Sequence, residues 1–272
     1  PAGYEMQGIT EDDLIDFTPA LNSLAREIAS EWRLGPMFNP PLHSENAEGK
    51  KGAVFCPSAG GGSNIPGGTV MDPETGIMYA ASVKTCSAFV LVPGEDRDAV
   101  MTGQSGKTVV EWHHSPVRGG FRGPEGLPMF KPPYGRVTAI DMNRGEIVWM
   151  TANGDGPRHH PAIRHLNLGP LGTPGRPAPL LTKTLLFLGE GSTNRPGGAR
   201  VMEGMPPEIV TNAGGRWFRA YDKATGDVVW QTELPAGTIA PPVTYMFEGK
   251  QYLLVSSGDV DTPGQLMAFT LP

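Results

Sequence analysis

Residues 137–150 read "VTAIDMNRGEIVWM" and residues 218–231 read "FRAYDKATGDVVWQ". Both run Ala-x-Asp, then Gly four residues after the Asp and Trp eight residues after it, and Asp222 follows Asp141 by 81 residues (222 − 141). An Asp opens a turn by accepting hydrogen bonds from backbone amides two residues on, and a Gly supplies the positive-φ position. The apolar run that follows reads as an outer strand carrying a large flat indole. "MDPETGIMY" keeps the same spacing at Asp72 and Gly76 without the Trp, as a degenerate third copy. A unit with fixed internal spacing and variable inserts points to the blades of a propeller or the turns of a solenoid. The plain alternative is two ordinary hairpins sharing a turn; a rare Trp at the same offset counts against it.

Outward from these copies, nearly everything after Gly52 reads as strand. "GTVMDPETGIMYAAS", "APLLTKTLLFLGEG", "PPVTYMFEGKQYLLVSSG" and "GQLMAFTLP" are short runs of apolar β-formers broken by turn residues. Gly/Pro-rich excursions interrupt at roughly 93–134, 151–177 and 192–214. One helix is expected over residues 19–33, in "TPALNSLAREIASEWRLGP". Thr18 caps it, Pro19 suits its first position, Leu21, Leu24, Ile28 and Trp32 recur on one face, and Gly35-Pro36 stops it. The expected division is residues 1–52 as a helical and loop excursion and 53–272 as blades with insertions.

The 272 residues carry a net charge of −6, so no basic surface argues for nucleic acid. Gly and Pro, 37 and 28 in number, make up nearly a quarter of the chain. They sit between β-rich runs and so read as tight connections rather than disorder. No stretch approaches the roughly 20 apolar residues that span a bilayer. The first residue is Pro1 rather than Met, from which residues upstream are expected. Cys56 and Cys86 fit no metal spacing; an oxidising compartment would permit a disulfide between them, and two half-buried thiols are the alternative.

The chain resembles the quinoprotein dehydrogenases that use pyrroloquinoline quinone (PQQ), especially the membrane glucose dehydrogenase-like branch. Asp141 to Trp149 and Asp222 to Trp230 look like the family's tryptophan-docking repeats. "GGGSNIPGG" at Gly60–Gly68 looks like its Gly-x-Asn-Trp-x-Gly-Gly segment. "PPYGRVTAIDM" and "LPAGTIAPPVTYMFEGKQYLLVSSG" resemble its last two blades, and "TEDDLIDFTPAL" with "RLGPMFNPP" resembles the excursion before the Asn-Trp segment. The resemblance covers essentially the whole chain but only the C-terminal part of the family sequence. It implies an all-β fold: a partial β-propeller of about three to four four-stranded blades out of eight, with one short helix near the N-terminus.

The resemblance also assigns residues. Asn64 stands where the family's asparagine hydrogen-bonds the quinone, and an amide offers both donor and acceptor to a ligand rich in carbonyls and carboxylates. Ile65 departs from the family's Trp beside it. Arg176, in "GTPGRPAPLL", falls where the alcohol-oxidising branch has another cofactor-side Trp; it could face the cofactor's carboxylates, or be a solvent-exposed loop arginine. Implied partners are a sugar or alcohol substrate, a membrane quinone or cytochrome acceptor, and an N-terminal propeller segment or chain. Ca²⁺ or Mg²⁺ is expected through ligands upstream of this chain. The general base is expected upstream as well, because the family's catalytic and metal-ligating residues precede the Asn-Trp segment. The implied location is the periplasm, with membrane association through the upstream segment. Eight blades of roughly 40–45 residues need more chain than is here, so a catalytically incomplete unit with an open last blade is expected.

Other patterns fail on their own chemistry. "GQSGKT" ends like a P-loop but has Met101 where Gly is required, and "GGGSNIPGG" lacks the third glycine and the helix of a dinucleotide loop. His113, His114, His159, His160 and His165 lie in Pro/Arg-rich excursions without ligand spacing and read as loop polarity. Asp259 and Asp261 lack the other ligands of a calcium loop and read as a turn, and Asp12-Asp13 read as a polar turn before the helix. A non-catalytic propeller scaffold that binds partner proteins in the periplasm is the rival reading, one that would have no need of Asn64.

Overall fold

A computed structural model of the chain describes residues 3–58, 61–63, 67–93, 112–116, 121–191, 214–238, 240–259 and 262–270. These form two compact units that interleave along the sequence. One holds 1–5, 60–85 and 132–272, the other 6–59 and 86–131.

Among the described residues the larger unit holds three antiparallel sheets. In the first, Gly62–Ser63 and Thr69–Asp72 share one side of Ile77–Val83, which pairs with Gly135–Asp141 and then Glu146–Ala152. The second runs Leu180–Leu181, Leu185–Gly189, Trp217–Asp222, Val228–Glu233, and the third Val243–Phe247, Lys250–Ser257, Gln265–Thr270. In every sheet, hairpin neighbours in sequence are neighbours in space, the up-and-down order of a propeller blade.

Period-2 alternation packs these sheets face to face. Tyr79, Ala81, Val137 and Ala139 of the first blade meet Leu186, Leu188 and Tyr221 of the second. On the strand that supplies Tyr221, the alternate residue Phe218 faces the other way, into Leu234, Leu253 and Val255. A blade covered on both faces needs apolar residues at successive positions, which is why these strands read as near-continuous runs rather than strict alternation.

The repeated phrase folds the same way twice. Trp149 stands opposite Ala139 and Trp230 opposite Ala220, each beside a register shift one residue further on. Asp141 Oδ1 accepts the Asn143 N–H at 2.9 Å and Asp222 Oδ1 the Ala224 N–H at 2.7 Å; Gly145 and Gly226 close the turns at φ 70° and 79°. Asp72 makes the same turn, its Oδ1 accepting the Glu74 N–H at 3.0 Å. That turn, however, joins the two innermost strands of the blade that contains Trp149. The third copy is therefore not a blade repeat, and no outer-strand Trp belongs to it.

Equivalence of position does not bring equal burial. Trp149 is half-buried: its Nε1 donates to the Lys223 carbonyl at 3.2 Å, and its ring lies against Gly226 of the next blade's turn. Trp230 is 41% exposed. Its ring packs edge-on against Phe218 of its own sheet and Phe269 of the third.

Lys223 links the first two blades at three points. Its carbonyl also accepts from the Tyr79 hydroxyl at 3.0 Å, and its ammonium sits 2.6 Å from Asp72 Oδ2. The Lys223 contact holds the Asp72 carboxyl at about 2, below its ordinary 3.8.

In the smaller unit the helix spans Pro19–Ser30, with the Thr18 hydroxyl accepting the Leu21 N–H at 3.1 Å. It ends three residues before the expected limit. Its buried stripe is Leu21, Ala25 and Ala29, with Trp32 buried just beyond, while Leu24 is 44% exposed because it falls on the flank of that stripe. Asp13 caps the short turn ahead of it, bonding the Thr10 N–H at 2.8 Å. Ala53–Phe55 pairs antiparallel with Ser87–Pro93, matching Phe55 to Ser87. The next pair in that register is Cys56 and Cys86, and they are joined in a disulfide. Residues 53–58 and 86–93, which the sequence groups with the blades, therefore belong with the helical excursion: ladder and disulfide hold them there.

Candidate functional site

The inner strands of the three blades begin at Thr69, Leu180 and Val243. The residues two positions ahead of each, Gly67, Ala178 and Pro241, come together. A Cβ placed on Gly67 would lie 3.4 Å from Pro241 Cγ and 3.5 Å from Ala178 Cβ. The inner edges of the blades thus meet at one place, on the side where a propeller has its central channel.

The sequence candidates belong to the segments that enter these strands. Arg176 stands four residues ahead of Leu180, as Ile65 stands four ahead of Thr69. Arg176 is half-buried, not a freely solvated loop residue, and its backbone is pressed against Gly191: a Cβ there would lie 2.5 Å from the Arg176 nitrogen. Asn64 and Ile65 lie outside the described residues. Of their neighbours, Ser63 Oγ is 3.1 Å from the Tyr4 hydroxyl, and Gly62, at φ 78°, has nothing within 4 Å of where a Cβ would stand.

Behind Arg176 lies a polar joint that reading the sequence did not identify. Glu190, one residue past the strand Leu185–Gly189, pairs with Arg219 at 2.7 Å, and both side chains are almost wholly buried. Arg219 Nε donates to Gln231 Oε1 at 3.2 Å, and Glu190 Oε2 accepts the Trp217 N–H at 3.4 Å. A Cβ on Gly154 or Gly215 would overlap the Glu190 carboxylate, and one on Gly175 would overlap the Glu190 carbonyl. Burial pushes the Glu190 carboxyl up, against the pull of Arg219. Next to this joint Asn153 donates to the Gly189 carbonyl at 2.8 Å and accepts from the Tyr221 hydroxyl at 2.8 Å. Burial raises the Tyr221 hydroxyl's pKa. A sequence signal did exist: single Glu and Arg residues inside the apolar runs "LLFLGEG" and "WFRAYD".

A second buried pair, Arg136 with Glu5 at 2.7 Å, lies beside Ser82 on the first blade, in register with Ser63. Here too burial dominates, lowering the pKa of the Arg136 guanidinium.

The remaining candidates sort by what they touch. His160 is buried, and its Nδ1 accepts the Ala162 N–H at 3.2 Å, tying the ring into its own loop. His159 meets Arg158 and is exposed, and the side chains of His113 and His114 lie outside the described part. Asp259 closes a turn by accepting the Thr262 N–H at 2.7 Å; Asp261 lies outside the described residues, as does the "GQSGKT" segment. Among the described residues no group of three or more His, Cys, Asp or Glu stands close enough to hold a metal ion.

Residues 1–253 match the family model described as PQQ: glucose/ethanol/alcohol dehydrogenase, β-propeller domain. A protein of Xanthomonas campestris pv. juglandis named "Probable quinate dehydrogenase (quinone)" is 25% identical over 97% of this chain and 32% of its own length. The quinoprotein glucose dehydrogenase of Escherichia coli (strain K12) is 29% identical over 56% of this chain and 17% of its own length. The solved quinohemoprotein alcohol dehydrogenase of Comamonas testosteroni aligns with a TM-score of 0.47 at 16% identity, over 87% of this chain and 32% of that one. The chain thus spans about a third or less of the relatives it matches.

Proposed function

We propose, from the premise that this chain belongs to the PQQ-dependent glucose/ethanol/alcohol dehydrogenase β-propeller family, that it forms the C-terminal part of an enzyme oxidising a sugar, polyol or related alcohol. Electrons leave to a quinone or cytochrome acceptor. The observation that carries the reading is the convergence of three inner strands at Gly67, Ala178 and Pro241, with Arg176 and the flanks of Asn64 in the segments that enter them.

Arg176, among the described residues, and Asn64, by its residue type alone, suit the cofactor's chemistry. A flat quinone bearing carboxylates needs a cation, an amide that both donates and accepts, and room for a planar ring. Arg176 is the cation, Asn64 the amide, and the open space at Gly62 leaves approach beside the Asn64 segment. When bound, PQQ supplies the redox step, taking up the two electrons and two protons that leave the substrate's C–H and O–H bonds as the alcohol becomes a carbonyl. The chain's own work is orientation. Arg176 would hold a carboxylate and Asn64 would offer a donor and an acceptor to the quinone, while the close packing at Gly191 holds the Arg176 backbone in place. In this reading Ca²⁺ or Mg²⁺ and the general base would be supplied by the rest of the enzyme, since the chain spans only 32% of one relative and 17% of another. The Cys56–Cys86 disulfide supports work in an oxidising compartment, which we assign to the periplasm.

Reconstituting the full-length protein with PQQ and Ca²⁺ and following dye reduction with sugars and polyols tests the reading. Substrate-dependent reduction that disappears without PQQ is the expected result. PQQ-independent behaviour with no dye reduction on any sugar or alcohol would favour a binding scaffold instead.

A further inference from the structure

The Glu190–Arg219 pair is costly to bury, and none of the roles above uses it. Taking both charges out of water costs several kcal/mol per ion before their attraction returns any of it, so such a pair is weak evidence for stability alone. Its surroundings show what it fixes. Four glycines let backbone and carboxylate crowd together: Gly154 and Gly215 against the carboxylate, Gly175 against the Glu190 carbonyl, and Gly191 against the Arg176 nitrogen. The segment that carries Arg176 is tied to the same joint, because the Thr173 N–H donates to the Asn153 carbonyl at 2.7 Å and Asn153 reaches the Gly189 carbonyl. Three stretches, 153–156, 172–176 and 189–191, are therefore clamped around one ion pair, and Arg176 leaves it toward the inner strand.

We propose that Glu190, held by Arg219, is a positioning residue for Arg176, setting the guanidinium's place at the entry to the inner strand and through it the affinity for an anionic planar quinone. This rests on the function proposed above. Glu190 itself touches no ligand; it acts through the backbone at Gly175 and Gly191.

The test is a double-mutant cycle on PQQ binding by the full-length protein, measured by calorimetry without substrate or dye. Glu190→Ala weakens PQQ binding by about tenfold, and Glu190→Gln, which keeps an acceptor for Arg219 in the same volume, restores it to within about threefold. In an Arg176→Gln background, Glu190→Ala brings no further loss, because the residue it positions is gone. Losses that multiply in the double variant, or a Glu190→Ala protein that binds PQQ as the parent does, overturn the proposal. If Glu190→Ala does not fold, Arg219→Gln goes through the same cycle with the same outcomes. An unmodified protein that binds no PQQ would instead overturn the proposed function, which separates the two failures.

Discussion

Gly226→Ala should destabilise the protein far more than Gly249→Ala, although both glycines sit in tight turns at nearly the same backbone angle, φ 79° and 75°. At Gly249 nothing lies within 4 Å of a built Cβ, so the substitution meets only the left-handed backbone cost of about 1 kcal/mol. At Gly226 the Cβ would stand 2.7 Å from Trp149 Cε3 and 2.9 Å from its Cδ2, closer than carbon atoms approach. The indole has to lift off the turn. Lifting it strains packing between the first two blades, about 1–3 kcal/mol for an overpacked contact. It also stretches the Nε1–Lys223 hydrogen bond, worth about 1 kcal/mol. The two variants should differ by at least about 2 kcal/mol, or roughly 4–8 °C in melting temperature for a chain of this size. Thermal unfolding of both variants, followed by tryptophan fluorescence, measures the difference directly. Equal losses would mean that Trp149 is not seated on the neighbouring turn and that the blades are not joined as described.

Three further outcomes are tied to particular residues. Reducing the Cys56–Cys86 bond, or replacing both cysteines by Ser, should cost about 3 kcal/mol, read as an earlier urea midpoint; an unchanged midpoint under reductant would contradict the linkage. The Asp72 carboxyl, held at about 2 by Lys223, contributes stability that is whole above its ordinary 3.8 and is lost as the pH falls from there toward 2. Lys223→Met should therefore flatten the acid limb of stability in that window, and an unaltered slope would remove the Asp72–Lys223 contact from the account. Asn64→Ala in the full-length enzyme should weaken PQQ binding by about 1–3 kcal/mol, the cost of orphaning a buried polar partner; unchanged affinity refutes the role assigned to it.

What the sequence disclosed depended on how local the chemistry was. The Asp-x-x-x-Gly turns were legible because the Asp side chain bonds its own backbone and the Gly conformation is intrinsic, and the matching positions of Trp149 and Trp230 followed from them. The same locality misled at Asp72, since an identical turn serves equally well between inner strands. Burial was not legible. Trp149 is half-covered because a turn 74 residues on (223 − 149) offers it a carbonyl, whereas Trp230 packs edge-on against Phe218 of its own sheet and Phe269 of the third, and nothing in either copy of the phrase distinguishes them. The disulfide waited on knowing that Ala53–Phe55 pairs with the strand at 87–93, a long-range choice that two cysteines alone do not specify. At the site, Arg176 was found by family resemblance and the buried Glu190–Arg219 joint was passed over, although charged residues inside apolar strands are the usual mark of such a pair.

Whether the inner strands of these blades present a quinone site is decided by where the cofactor binds. A crystal structure of the full-length protein with PQQ bound should show the quinone at the end where Gly67, Ala178 and Pro241 converge, with Asn64 and Arg176 within hydrogen-bonding distance of it. PQQ bound elsewhere, with Asn64 and Arg176 both turned away from it, would contradict the account.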